Sequence, residues 1–154
     1  VVAVIGEGKT TPENYDLAEK VGYELGRRGA TIVCGGMGGV MEAACRGAKI
    51  AGGTTVGILP GSSRREGNRF LDIAILTGMG EGRNVIVAKS AQAVIAVGGR
   101  DGTLSEIAFA LLHGVPVIGL GSWGLLREGE VDTSIIPASS AEEAAELALA
   151  LAKT

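Results

Sequence analysis

Short apolar runs separated by longer amphipathic stretches pattern this chain. Residues 1–6, 31–34, 54–59, 93–97 and 115–120 are continuous apolar or β-branched runs of strand length. Residues 71–76 form a further run, interrupted by Asp72. Between the runs, apolar residues recur at helical spacing. Leu17, Ala18, Val21 and Leu25 make one stripe after Thr11-Pro12, which supplies an N-cap and a proline at the first helical position, and Gly29 ends it. A helix of small residues is predicted to reach about Ile50, where Gly52-Gly53 breaks it. Further helices are predicted over 81–90, over 103–113 with a stop at Gly114 and Pro116, and over 139–153. The last carries Ala144, Leu147, Ala148 and Leu151 on one face, while residues 61–68 and the segment around Trp123 read as loops.

This alternation predicts an α/β, doubly wound, Rossmann-like domain. Its parallel strands are apolar on both faces because helices cover both. One domain is expected over residues 1–154. In such folds ligands gather beyond the carboxyl ends of the strands, where the strand order reverses. Glycine-rich turns follow four predicted strand ends: Gly6-Glu7-Gly8; Gly35-Gly36-Met37-Gly38-Gly39; Pro60-Gly61; and Gly98-Gly99-Arg100-Asp101-Gly102. Taken singly, each is an ordinary tight connection, but four at one sheet edge favour a ligand site. The last is the most informative. A buried strand ends in glycines and a helix opens at Thr103, which presents free backbone N–H groups suited to a phosphate.

Composition narrows the ligand more than the fold. The 26 glycines are the outlier, and they sit at the ends of apolar runs. With a net charge of −3, and no basic stretch longer than Arg64-Arg65, nucleic acid is not an expected partner. Apolar content of 46% excludes a disordered chain. No apolar run is long enough to span a membrane and no signal-peptide pattern is present, so a cytoplasmic protein is expected. Cys34 and Cys45 read as core residues of a reducing compartment. Nothing has zinc-ligand spacing, so no metal is expected. His113, the only histidine, reads as a helix-end residue interacting with the dipole.

The same turns carry a family resemblance. Cys34-Gly35-Gly36-Met37-Gly38-Gly39-Val40-Met41-Glu42-Ala43, then Gly52-Gly53 with Gly57-Ile58-Leu59-Pro60-Gly61, then Gly98-Gly99-Arg100-Asp101-Gly102-Thr103-Leu104-Ser105-Glu106 resemble the motifs of the Lonely Guy superfamily. Its members are often labelled "possible lysine decarboxylase". Within it, the chain is most similar to the bacterial branch related to molybdenum cofactor carrier proteins. The resemblance covers nearly the whole chain. It implies an enzyme that cleaves the N-glycosidic bond of nucleoside 5′-monophosphates, releasing base and ribose 5-phosphate. Arg83 and Glu106 would then be the catalytic pair, Gly102 and Thr103 the phosphate turn, and no cofactor would be required. The alternative it implies is a carrier that holds a phosphorylated pterin, molybdenum cofactor, without turnover. The two readings stand close, with the enzyme first as the broader family activity. A nucleotide or phosphorylated pterin is the implied partner, and a homodimer or higher homo-oligomer the implied assembly.

Three departures bear on this. Asn84 stands where the enzymes carry lysine, which leans toward the carrier branch. Arg100 stands where they carry glycine, and its forked guanidinium would add a phosphate contact or block the turn. Glu7 stands where many relatives have serine, and would repel a nearby phosphate unless paired with Arg100 or a lysine. The decarboxylase label does not fit. That chemistry needs a carbonyl cofactor, usually on a buried lysine, and Lys9, Lys20, Lys49, Lys89 and Lys153 stand in no such context.

Breaking an N-glycosidic bond develops positive charge on the sugar and negative charge on the leaving base. Glu106 would stabilise the cation or position a water. Arg83, too basic to donate a proton, would orient Glu106 or stabilise charge. Thr103-x-x-Glu106 also has the spacing of a capping box, in which Glu106 reaches back to the N-cap amide. Trp123 reads either as a stacking surface for a planar ligand or as a packing residue. Arg64, Arg65 and Arg69 read as solvated, with the gathering of a ligand phosphate as the lesser alternative.

Overall fold

The computed structural model describes residues 1–152 and 154. The chain runs β1 (Val2–Gly6), α1 (Pro12–Arg27), β2 (Thr31–Cys34), α2 (Val40–Ile50), β3 (Thr54–Leu59), β4 (Ile73–Leu76), α3 (Arg83–Ser90), β5 (Ala93–Val97), α4 (Asp101–Leu112), β6 (Val117–Leu120), β7 (Leu125–Arg127), β8 (Glu130–Asp132), β9 (Ile135–Pro137) and α5 (Ala141–Leu151). Single 3-10 turns occupy Arg64–Glu66 and Gly80–Gly82. Seven strands form one sheet in the order β4-β3-β2-β1-β5-β6-β9, and each neighbouring pair is parallel. The Rossmann-like α/β expectation therefore holds.

Successive strand residues supply two cores. Val2, Val4, Ile95 and Val97 join the cluster that α1, α2 and α5 cover, whereas Ala3, Ile5, Val94 and Ala96 join the cluster under α3 and α4. Burial on both faces is why these strands read as continuous apolar runs and not as alternating ones. Helices α1 and α2 approach backbone to backbone. A Cβ on Gly22 would lie 1.9 Å from the Ala44 carbonyl oxygen, and one on Gly47 would lie 1.9 Å from that of Glu19. Only glycine permits that contact.

Strand order reverses between β1 and β5. These two strands align residue for residue from Val2 opposite Ala93 to Gly6 opposite Val97. The turns after Gly6 and after Val97 therefore diverge from adjacent points, which opens a crevice of the kind that binds ligands in open α/β sheets.

Several boundaries move from expectation. Helix α4 starts at Asp101, two residues before the predicted Thr103. Strand β4 begins after Asp72, whose carboxylate accepts from the Thr55 amide and from Lys49 at 2.9 Å each. The segment read as a loop around Trp123 holds a hairpin, β7–β8, and an edge strand, β9. Glu128 and Gly129 both take positive φ (52° and 81°) in a two-residue connection, the type I′ arrangement that hairpin twist favours. The last helix spans Ala141–Leu151, so its predicted extent shortens, and Lys153 lies outside the described residues. No helix among the described residues is long and apolar enough to cross a membrane.

Candidate active site

A cavity of about 520 Å³ fills the crevice at the switch point, a size suited to a small-molecule ligand. The β1 turn contributes Gly6, Glu7, Gly8 and Lys9, and α2 contributes Met41. Arg83 and Asn84 reach in from the start of α3, and Arg100, Gly102, Thr103 and Glu106 from α4. The fold thus gathers residues separated by about a hundred positions in the chain. Gly98 and Gly99 line an adjoining recess with Asn14, Ser122 and Trp123.

The other predicted glycines do not line the cavity. Some of them make room behind it. A Cβ on Gly35 would meet the Met41 sulfur at 2.7 Å and an Arg83 guanidinium nitrogen at 2.8 Å. One on Gly39 would meet the Glu7 carbonyl oxygen at 2.1 Å, and one on Gly36 would strike Leu59 at 2.6 Å. Gly38 sits behind the β1 turn, 3.3 Å from the Gly8 carbonyl oxygen by the same measure. Pro60 and Gly61 stand outside both recesses, and a side chain on Gly61 would run into the Glu66 carboxylate. Lys9 and Met41 line the cavity without having been singled out as ligand contacts. Their placement beside Gly8 and within the Met37–Ala43 motif was the available signal.

Glu106 is only 7% exposed. Among the described residues its carboxyl makes no hydrogen bond, and no fully enclosed side-chain polar atom lacks a partner, so its oxygens face the cavity. Burial pushes its pKa up to about 7, against a smaller opposing pull from the Arg83 charge. The capping box is not formed: Arg100 occupies the N-cap, Thr103 sits inside the first helical turn, and Glu106 lies one turn deeper. Arg83 is fixed on several sides. Its Nε donates to the Ile58 carbonyl at 3.0 Å, one Nη donates to the Asn84 side-chain oxygen, and the other lies 3.9 Å from the Met37 sulfur. Asn84, itself buried, donates from Nδ2 to Ser105 Oγ at 3.2 Å, and that hydroxyl donates to the Gly102 carbonyl at 2.6 Å. Asn84 thereby ties the start of α3 to the first turn of α4.

That first turn is open. The earliest intrahelical bond is Leu104 N–H to the Arg100 carbonyl, and no side chain caps the helix. The amides of Asp101, Gly102 and Thr103 bond to no other group among the described residues. With the dipole of a twelve-residue helix behind them, they favour an anion. Arg100 does pair with Glu7, Nε to Oε1 at 2.9 Å. Trp123 donates from Nε1 to the Arg100 carbonyl at 3.1 Å and so braces the turn. Cys34 and Cys45 are buried, unbridged, and 3.6 Å apart at sulfur, away from the cavity lining. Arg64, Arg65 and Arg69 are exposed. Among the described residues no group of three or more His, Cys, Asp or Glu side chains is placed to hold a metal ion.

Known proteins resemble this chain in sequence or in fold. An uncharacterized protein of Archaeoglobus fulgidus is 47% identical over 119 residues, 77% of this chain and 78% of that one. The molybdenum cofactor binding protein of Rippkaea orientalis superimposes with a TM-score of 0.87 at 36% identity, over 97% of this chain and 94% of its own. The molybdenum cofactor carrier protein of Chlamydomonas reinhardtii does so with a TM-score of 0.83 at 32% identity, over 97% and 96%. Residues 1–151 match the SLOG cluster4 family, and the chain belongs to that family.

Proposed function

We propose that this protein binds a phosphorylated small molecule with its phosphate at the first turn of α4, and that it hydrolyses the N-glycosidic bond of a nucleoside 5′-monophosphate. Glu106 carries the catalytic half of this reading. A site built only to hold an anion gains nothing from a buried carboxyl that has no hydrogen bond and titrates near neutrality. Gly102 and Thr103 precede Glu106 by about one helical turn on the same face, roughly 5.4 Å along the axis, a ribose-sized offset between phosphate site and carboxyl.

In the reaction the bond between C1′ and the base nitrogen breaks. Its electron pair leaves with the base, which takes up a proton from solvent, and Glu106 afterwards returns the proton it accepts to solvent. The Glu106 carboxylate stabilises the positive charge on the sugar and accepts a proton from the water whose oxygen bonds to C1′. Arg83 keeps Glu106 ionisable near neutral pH by offsetting part of its desolvation. No cofactor enters this chemistry.

A second reading has its own support. Asn84 stands where the resembling enzymes carry lysine, and the two structural relatives above are described as binding or carrying molybdenum cofactor. On that reading the same cradle holds the pterin's phosphate without turnover. The test is to incubate the pure protein with AMP and related 5′-monophosphates and to assay free base by chromatography. Base release supports the enzyme. No release, with oxidised-pterin fluorescence in the denatured protein, supports the carrier. For the assembly, exposed Ile73, Ile75 and Leu76 on edge strand β4, followed by exposed Met79, support a homodimer, because an uncovered apolar edge otherwise invites aggregation.

A further inference from the structure

We infer that the Arg100–Glu7 pair is a latch worked by the ligand's phosphate: Arg100 releases Glu7 and takes the phosphate bound at the start of α4, and this exchange selects phosphorylated over unphosphorylated ligands. The inference rests on the phosphate site proposed above.

Position supports it first. Arg100 is the N-cap residue, directly before the three free amides, and the 93%-buried, unbonded Glu106 borders the same cavity. Freedom of movement supports it next. The Arg100 backbone is pinned, since its carbonyl accepts from Leu104 N–H at 2.9 Å and from Trp123 Nε1 at 3.1 Å. Its side chain is 87% exposed and held by one carboxylate. An exposed pair of this kind contributes little, because solvent screens it, so breaking it costs little. A guanidinium fork on a phosphate makes two charge-assisted hydrogen bonds in return. Arg83 is no rival for this role, because its nitrogens are engaged by Ile58, Asn84 and Met37.

Glu7 gives the latch its selectivity. Its carboxylate lines the cavity and is 24% exposed, so it stays hydrated once released. Paired, it neutralises Arg100 in the empty site and lowers the attraction for weak anions. Glu7 and Arg100 are also the residues common to the cavity and the adjoining recess of about 470 Å³, so the pair stands at their seam.

The test titrates the wild type, Arg100→Gln and Glu7→Gln with AMP, adenosine and inorganic phosphate by calorimetry, with circular dichroism as the folding control. Arg100→Gln, whose amide can replace one of the fork's two hydrogen bonds, is expected to weaken AMP and inorganic phosphate at least about tenfold and to leave adenosine unchanged. Glu7→Gln is expected to tighten AMP and phosphate several-fold, again without effect on adenosine. Equal changes for AMP and adenosine in Arg100→Gln, or no change, overturn the latch. Weaker AMP and phosphate binding in Glu7→Gln also overturns it, since Glu7 would then position Arg100 and not compete for it. If the wild type binds phosphate and only the variants disobey, the latch alone fails. If the wild type binds none of the three probes, the phosphate site fails with it.

Discussion

Helices α1 and α4 both begin at the carboxyl end of a central strand, yet their first turns are finished differently. At α1, Thr11 occupies the N-cap and its Oγ1 accepts from the Asn14 amide at 3.1 Å, with proline at the first helical position. Helix α2 is closed by backbone instead, its Val40 amide donating to the Glu7 carbonyl at 3.0 Å. At α4 no group among the described residues closes the turn: Arg100 makes no capping bond, and the residue one turn in is a buried acid without a hydrogen bond to any of them. The contrast teaches where stability has been given up. Helices α1 and α2 each satisfy a first-turn amide internally, whereas α4 leaves its own for a ligand and keeps a desolvated carboxyl beside them. Such local departures from good practice are expected at a functional site.

The sharpest way to break this comparison is Glu106→Gln. If α4 trades stability for chemistry, base release falls at least about a hundredfold while ligand binding persists. Stability should respond too. The folded protein holds the Glu106 proton more tightly than the unfolded chain, whose pKa is near 4.5. Between about pH 4.5 and 7 the native state therefore binds more protons, and unfolding free energy falls as pH rises through that window. The loss between pH 5 and 8 is on the order of a few kcal/mol, and it should be absent in Glu106→Gln when both proteins are unfolded in urea. Turnover, which needs the ionised form, should rise through about pH 7. A flat rate profile would remove Glu106 as the base.

Smaller effects sharpen the contrast from the other side. Thr11→Ala should cost about 1 kcal/mol of stability in denaturant titrations and leave AMP affinity unchanged, because that cap serves only the helix. Arg100→Ser should do the reverse. A serine able to cap α4 should add a few tenths of a kcal/mol to about 1 kcal/mol, and should weaken inorganic phosphate as it occupies an amide and removes the guanidinium. A stable Arg100→Ser variant that binds phosphate as tightly as the wild type would show that the open turn is not the anion site.

Much of this was legible in the chain, and the failures have physical causes. The doubly buried strands betrayed themselves as unbroken apolar runs, so the parallel sheet followed from them. The hairpin at Leu125–Asp132 did not, because its strands are three residues long, carry charges, and expose Leu126 and Val131 to solvent. Its turn signal was the single glycine at 129. The capping-box spacing at Thr103 and Glu106 was real in sequence but misleading, since the helix begins two residues sooner and turns Glu106 into the cavity. The glycines after β2 line neither recess and supply the space that Arg83, Leu59 and the β1 turn require, a role that spacing along the chain does not display.

Element order, sheet class and the cluster of glycine turns at one edge follow from the chain alone, because these depend on periodicity and on local backbone freedom. Packing of distant elements brings Arg83, Asn84 and Glu106 together across a cavity, pairs Glu7 with Arg100 and desolvates Glu106. Those outcomes depend on which elements pack together, and burial and charge proximity are properties of space and not of spacing along the chain.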